Sequence, residues 1–287
     1  MALLDRVDGR VVSEDVGLGE GSLYNCVSVG DRIYVAGSVV EVVGDSSGRY
    51  HVDRYTSIVF DGDSLYVGGM AYSYAGSNSR RVWVIEKRNL SEETAYRRIV
   101  ELRQFSEAFL FDMAVDPVTG NLWAVGGFGD YSLVVVLDKN LSEITRMAYS
   151  RSFESYFGNA HGICFDGEGY AYVAGSDGIA KLSSRGELVA VNKRHGGFTK
   201  VACTGNYVYA FGDKRIEGHQ RHILVAFDRN LNSVKETVLS KNNRRNTYFT
   251  WGKPAFDGNT LYAAGWDEAH DEERIVVYAI QTTSPNP

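Results

Sequence analysis

Six short segments of this 287-residue chain bring aromatic, cationic, acidic and imidazole side chains close to the start of an apolar run. They span residues 21–25, 54–57, 105–112, 156–162, 194–200 and 247–253. Each holds an aromatic residue: Tyr24, Tyr55, Phe109, Phe157, Phe198 or Phe249, with Trp251 beside the last. Lys200, Lys253, His161 and His195 lie in the same segments. Aromatic faces with a few convergent polar groups are the make-up of a small-molecule or peptide site. The ligand-binding candidates are therefore Tyr55, Phe109, Phe157, His161, His195, Phe198, Lys200, Phe249, Trp251 and Lys253. The same aromatics would serve equally well as packing between neighbouring elements.

A second chemistry is available from Glu107, Asp112, Asn159 and His161, whose oxygen and imidazole donors would suit a divalent ion and a hydrolytic water. His161 and His195 occupy corresponding segments, so they could also share a metal or a proton, although their spacing is not a metal signature. No cofactor is expected otherwise. Residues 213–222 and 267–274 read as long polar connections. The second is acidic but lacks the ordered spacing and central Gly of a calcium loop. Residues 70–81, with Tyr72, Ser73, Tyr74, Ser77, Asn78 and Ser79, have the adaptable make-up of a recognition loop. No phosphate-binding loop, dinucleotide fingerprint or zinc spacing occurs. Gly44-Asp45-Ser46-Ser47-Gly48 matches a nucleophile elbow only in letters, because a strand pattern follows the Ser where a helix is needed. A plain turn is expected there.

What positions these segments is a phrase that recurs six times, an aromatic followed by two small or apolar residues and Gly. It reads Tyr34-Val35-Ala36-Gly37, Tyr66-Val67-Gly68-Gly69, Trp123-Ala124-Val125-Gly126, Tyr172-Val173-Ala174-Gly175, Tyr209-Ala210-Phe211-Gly212 and Tyr262-Ala263-Ala264-Gly265. Upstream of most copies an apolar run ends in a hairpin turn such as Asp61-Gly62, Asp166-Gly167 or Asp257-Gly258, where Gly supplies positive φ and Asp bonds its own backbone. Downstream come a further apolar run and, after turns such as Arg88-Asn89-Leu90, Lys139-Asn140-Leu141 and Arg229-Asn230-Leu231, a fourth run. The unit is a four-stranded antiparallel meander recurring about every 46 residues, near the length of a propeller blade.

The chain is expected to be all-β, a six-bladed β-propeller of four-stranded antiparallel blades closed by its N-terminal strand. Residues 10–16 are the expected outer strand of the last blade. The recurring aromatic should fill the space between blades, and the Gly should let its strand end in a bend. Residues 91–104 read as a strand. A single domain should cover residues 1–281, with a flexible tail at 282–287.

At Leu65-Tyr66-Val67-Gly68-Gly69 with Val82-Trp83-Val84, and at Leu122-Trp123-Ala124-Val125-Gly126-Gly127 with Val134-Val135-Val136, the sequence resembles kelch-like propeller blades. In that family a double glycine ends the second strand and an aromatic-containing third strand follows. The other four copies lack the double glycine. The resemblance therefore extends to propeller repeats in general, and such folds host enzymes and scaffolds alike.

Composition narrows the partners. A net charge of −6 with no long basic run argues against nucleic acid. No apolar stretch is long enough for a membrane span, and Asp5 and Arg6 sit where a signal peptide would place its apolar core. A soluble, cytoplasmic protein is expected. Cys26, Cys164 and Cys203 lie in apolar runs and suit buried free thiols. The excess of Arg (21) over Lys (9) is a weak thermophile-like trait. The leading functional expectation is a non-enzymatic scaffold that recognises a protein or peptide on the long-loop face. The alternative is a metal-dependent hydrolase or lactonase-like enzyme at the channel mouth.

Overall fold

The computed structural model describes residues 2–5, 11–14, 23–30, 32–45, 48–73, 80–90, 94–100, 108–152, 156–239, 247–249, 252–256, 259–269 and 272–282. The chain forms two compact units, one made of Met1–Gly129 with Leu133–Met147, the other of Asp130–Ser132 with Ala148–Pro287. All regular structure in the described residues is antiparallel strand.

In the first unit the strands are β1 (Ala2–Asp5), β2 (Val11–Glu14), β3 (Leu23–Val29), β4 (Arg32–Asp45), β5 (Gly48–Phe60), β6 (Leu65–Ser73), β7 (Arg80–Arg88), β8 (Thr94–Val100), β9 (Phe109–Val115), β10 (Leu122–Phe128), β11 (Tyr131–Leu137) and β12 (Glu143–Ser150). β9 to β12 make one four-stranded sheet, and β5 to β8 make another. β3 and β4 pair in a third set, to which β1 adds along β4 and β2 along β1. The long β4–β5 hairpin, closed by Asp45 opposite Gly48, merges the last two sets into one sheet. Gly44 and Asp45 pair with Arg49 and Gly48 on either side of the turn expected at 44–48, whose residues 46 and 47 lie outside the described residues, and a strand is present within 91–104, at Thr94–Val100.

The N-terminal expectation needs correcting. Residues 10–16 do supply a strand, β2, but its partner is β1 and it completes the first set of strands. The short interval between Tyr34 and Tyr66 leaves that set without outer strands of its own, and the chain start fills the place.

The second unit holds β13 (Ala160–Phe165), β14 (Ala171–Gly175), β15 (Gly178–Leu182) and β16 (Leu188–Asn192) in one sheet. A second sheet contains β17 (Phe198–Thr204), β18 (Tyr207–Ile216), β19 (His219–Asp228) and β20 (Ser233–Val238). The last sheet has β21 (Thr247–Phe249) and β22 (Ala255–Phe256) pairing one after the other along β23 (Thr260–Ala269), which also pairs with β24 (Glu272–Gln281). Two supposed long connections are corrected here. Asp213–Ile216 and His219–His222 extend the β18–β19 hairpin, whose turn is Glu217-Gly218 with φ of 51° and 84°. Asp267–Ala269 likewise pairs with Glu272–Arg274. Alternating polar residues there are strand edges rather than loop. Thr282 bonds the backbone of Asn259, and the rest of the expected tail lies outside the described residues.

The recurring aromatic does what its size suggests. Tyr34, Tyr66, Trp123, Tyr172 and Tyr209 are buried, while Tyr262 in the last sheet is exposed. Three of the tyrosines also reach a neighbouring sheet through their hydroxyls. Tyr34 donates to the Leu90 carbonyl (3.1 Å), Tyr66 to that of Lys139 (3.5 Å) and Tyr172 to that of Arg229 (2.9 Å). All three acceptors lie in the repeated Asn-Leu turns. In two of those turns the Leu is buried in the left-handed region, Leu141 at φ 63° and Leu231 at φ 61°.

The recurring Gly has a different role from the bend expected of it. In five inner-strand pairings the inner strand carries one extra residue, a β-bulge, at the same place: Tyr24, Thr56, Phe111, His161 and Thr199. The Gly of the phrase pairs with the residue just before the bulge, and in four of the five cases a Cβ on it would run into backbone. At Gly69 it would meet the Arg54 carbonyl, at Gly126 that of Phe109, at Gly175 that of Phe157 and at Gly212 that of Gly197. Only a residue without a side chain admits the bulged strand so closely.

One thiol expectation also fails. Cys164 on β13 and Cys203 on β17 form a disulfide between adjacent inner strands, and Cys26 is free and exposed.

Two predictions follow from these contacts. Gly126→Ala should cost about 2–3 kcal/mol in denaturant unfolding, because a carbonyl cannot yield as a side chain does. Gly167→Ala, with nothing within 4 Å, should be close to neutral. Reduction, or Cys164→Ser with Cys203→Ser, should remove about 3 kcal/mol of stability by freeing a long loop in the unfolded chain. Peptide mapping without reductant should find the two cysteines linked and Cys26 alone alkylated.

Candidate functional site

A bulge turns the residue after it away from the sheet's ordinary alternation, which is how such irregularities re-aim side chains. Residues in that position stand four places before the hairpin turn. They are Asn25, Ser57 and Asp112 in the first unit, and Gly162, Lys200 and, by the same count from Asp257, Lys253 in the second.

In the first unit these positions are joined by hydrogen bonds from sheet to sheet. Asn25 Nδ2 donates to Ser57 Oγ at 3.5 Å, and Ser57 Oγ donates to Asp112 Oδ1 at 2.9 Å. The Met113 amide donates to both Ser57 Oγ and Asp112 Oδ1, while Thr56 Oγ1 donates to the Leu110 carbonyl at 2.8 Å. Asn25, Thr56, Ser57 and Asp112 are all buried. A buried carboxylate is thus held by a hydroxyl and an amide, in a chain of polar groups that crosses three inner strands.

In the second unit the same positions are small and cationic. Gly162 lies against the Lys200 backbone, and Lys200 is buried beside His161. Loss of hydration and, secondarily, the Lys200 charge push the His161 imidazole down to about 4. The ring is neutral at physiological pH.

The other candidates divide. Tyr55, Phe157 and Phe198 are core residues. Tyr55 packs with Tyr34, Ile58 and Leu65 under the Arg88 guanidinium, Phe157 against Tyr149, and Phe198 edge-on against Phe227. For these three, packing between sheets is the role observed. His195 is bonded through Nδ1 to Glu236 Oε2 at 2.5 Å, with Lys214 Nζ on the other oxygen at 2.7 Å. Burial alone would raise the Glu236 carboxyl, but those two partners outweigh it and hold it below the usual range. His161 and His195 therefore have different partners. Asn159 is fixed through its backbone by Ser176, whose hydroxyl accepts from the Asn159 amide at 3.0 Å. Among the described residues no group of three or more His, Cys, Asp or Glu is arranged to hold a metal. Glu107, Trp251 and the side chain of Phe249 lie outside the described residues.

Phe109 belongs to a feature that sequence reading missed. From the start of β9 its ring stacks on Phe111 (5.7 Å, 9°), and the Arg81 guanidinium lies 4.2 Å from its centroid. Arg81 also lies over Tyr72 at 5.2 Å and donates Nη2–H to the Tyr72 hydroxyl at 2.6 Å. Arg54 lies over Tyr24 at 5.8 Å, and its guanidinium is also under the influence of Tyr72. Cations and rings thus alternate over Tyr24, Arg54, Tyr72, Arg81, Phe109 and Phe111, drawn from three sets of strands in the first unit.

No protein-family model and no curated protein matches this sequence. Solved structures do. A protein of unknown function from Bacteroides caccae aligns with a TM-score of 0.57 at 12% identity, covering 86% of each chain. The periplasmic gluconolactonase of Pseudomonas aeruginosa aligns at 0.53 and 13%, covering 97% of this chain and 90% of the other. A chain of the mitotic checkpoint complex aligns at 0.52 and 12%, covering 98% and 84%. The fold is a β-propeller. At these identities the propeller likeness carries the architecture alone, and the neighbours' functions differ from one another.

The state of His161 in this propeller can be measured. Its imidazole should titrate near 4 by NMR, and Lys200→Met should move that value upward. Because the folded pKa lies below the ordinary 6.5, the unfolded chain takes up the proton first. This contribution to stability is therefore complete above pH 6.5 and is lost as pH falls through about 4. His161→Phe should flatten that part of the stability–pH curve.

Proposed function

We propose that this propeller is a recognition scaffold that binds a protein or peptide through the alternating Arg and aromatic side chains of its first unit. The observation that carries the reading is the array from Tyr24 to Phe111. Tyr and Arg dominate the energetics of protein interfaces, because they present large, stiff surfaces together with hydrogen-bonding groups. The array flanks the β6–β7 connection, whose residues 74–79 are rich in Ser, Asn and Gly, a composition suited to adaptable contact. The paired glycines Gly68-Gly69 and Gly126-Gly127 support placing the protein with kelch-like propellers. Nucleic acid and membranes remain poor partners for a chain of net charge −6. The Cys164–Cys203 bridge suits either an oxidising compartment or the cytosol of a hyperthermophile, and the Arg excess favours the cytosol.

A second reading has one observation in its favour, the Asn25–Ser57–Asp112 chain on the inner strands. A buried carboxylate in such company suits hydrolysis of a lactone or ester, the metal-dependent alternative expected from the sequence. Under that reading Asp112→Asn abolishes a divalent-ion-stimulated hydrolysis of model lactones, whereas under the scaffold reading no such activity exists to lose.

Peptide display against the full chain tests the scaffold reading. Peptides enriched on the wild type should lose about tenfold or more in affinity for Tyr72→Ala with Phe109→Ala. No enrichment, or equal binding to the variant, would end it.

A further inference from the structure

We propose that Arg81 is the anchor for a carboxylate of the partner, so that the array selects an extended acidic peptide; this deepens the scaffold reading and rests on it. Arg81, the second residue of β7, stands directly opposite Tyr72, and its guanidinium lies over both the Tyr72 and Phe109 rings. Stacking of this kind fixes the plane of the fork without using up its charge. Of the three nitrogens, Nη2 donates to the Tyr72 hydroxyl, and Nε is enclosed with no acceptor. The Nη1 edge of this partly exposed residue is what meets a ligand. Among the described residues no carboxylate pairs with Arg81.

Arg54 shows the same arrangement completed. It lies over Tyr24, donates Nη1–H to the Tyr24 hydroxyl at 3.4 Å and donates Nε–H to Asp53 Oδ2 at 2.7 Å. Two guanidinium–tyrosine pairs therefore stand in one unit, one with its acid and one without. Their charges select the ligand. Among the described residues Asp53 offsets Arg54, which leaves one positive charge of the array uncompensated. A singly charged carboxylate balances it, whereas a phosphate dianion brings one charge too many. The rings of Tyr72, Phe109 and Phe111 on either side of the fork accept apolar or aromatic neighbours of the acidic residue. A planar carboxylate can bond Nη1 and the second hydrogen of Nη2, which the Tyr72 hydroxyl does not use, and a lysine ammonium in place of the guanidinium could not present that pair of donors.

The test uses the full chain and fluorescence anisotropy with a fluorescein-labelled random copolymer of glutamate and tyrosine, set against a copolymer of lysine and tyrosine. The wild type should bind the acidic polymer at least tenfold more tightly than the basic one. Arg81→Gln should lose at least tenfold, and Arg81→Lys should lose most of that as well, because an ammonium keeps the charge and forfeits the fork. Arg185→Gln, exposed in the second unit, should bind as the wild type does. Phe109→Leu serves as the independent variant should the Arg81 substitutions lower the melting temperature, and it should weaken acidic binding by severalfold. Equal binding of the acidic polymer by wild type and Arg81→Gln overturns the anchor. Displayed peptides that bind the wild type without an acidic residue also overturn it while leaving the scaffold standing. Failure of both polymers, together with no enriched peptide, overturns the two proposals at once.

Discussion

At four of the five bulges one backbone contact sets the rest of the geometry: a carbonyl at or just before the inner strand presses against a glycine of the second strand. The extra residue in the inner strand shortens its pairing by one position, and a carbonyl just before the bulge occupies the space a Cβ would need at Gly69, Gly126 or Gly212, as the Phe157 carbonyl ahead of β13 does at Gly175. Without the glycine the bulge cannot form. Without the bulge, the residue that follows keeps ordinary alternation and its side chain goes to the other face of the sheet. The positions of Ser57, Asp112 and Lys200 all depend on that single accommodation.

The aromatic three residues earlier does a complementary job. It is far enough from the bulge to be free of its sterics, and its ring fills the gap between sheets. At Tyr34, Tyr66 and Tyr172 the hydroxyl reaches an Asn-Leu turn of a neighbouring set of strands, and in two of these cases it also bonds the aspartate of its own hairpin turn. Tyr66 meets Asp61 and Tyr172 meets Asp166, each at 3.1 Å. Trp123 has no hydroxyl, and in its sheet the turn carboxylate Asp116 is satisfied by Thr119 instead. Two sequence repeats that look independent, the aromatic phrase and the Asn-Leu turn, are thus the two ends of one contact between neighbouring sheets.

Much of this was legible in the sequence because it is local. An Asp-Gly pair between apolar runs predicts a hairpin from two residues, and a buried strand such as Leu133–Leu137 announces itself by composition. What escaped were consequences of pairing. The stretch from Asp213 to His222 looks like a polar loop because its charges alternate, but its residues are paired one for one across a hairpin. The N-terminal strand carries no mark of which sheet it joins. Cys164 and Cys203 are 39 residues apart, and nothing short of the register of two inner strands brings them together. The Arg81–Tyr72 pair was hidden for the same reason, since it is a cross-strand neighbour relation. A usable signal did exist for the inner-strand positions: the fixed count of four residues before each turn, once the turns were aligned.

This division of labour explains why the architecture is easier to read than the activity. The glycine and the aromatic must be what they are, since one admits a backbone and the other fills a void. The residue after the bulge is under neither demand, and along the chain it is Asn, Ser, Asp, Gly, Lys and Lys. Variation there costs the fold little, so chemistry is written at the positions that packing leaves unspecified. The consequence is a first unit whose inner strands carry a hydrogen-bonded acid and a second whose inner strands carry buried cation and neutral imidazole, on sheets built by the same rule. The same freedom holds near the strand ends, where the side chains of Tyr72, Arg81 and Phe109 assemble beside that of Arg54 on β5.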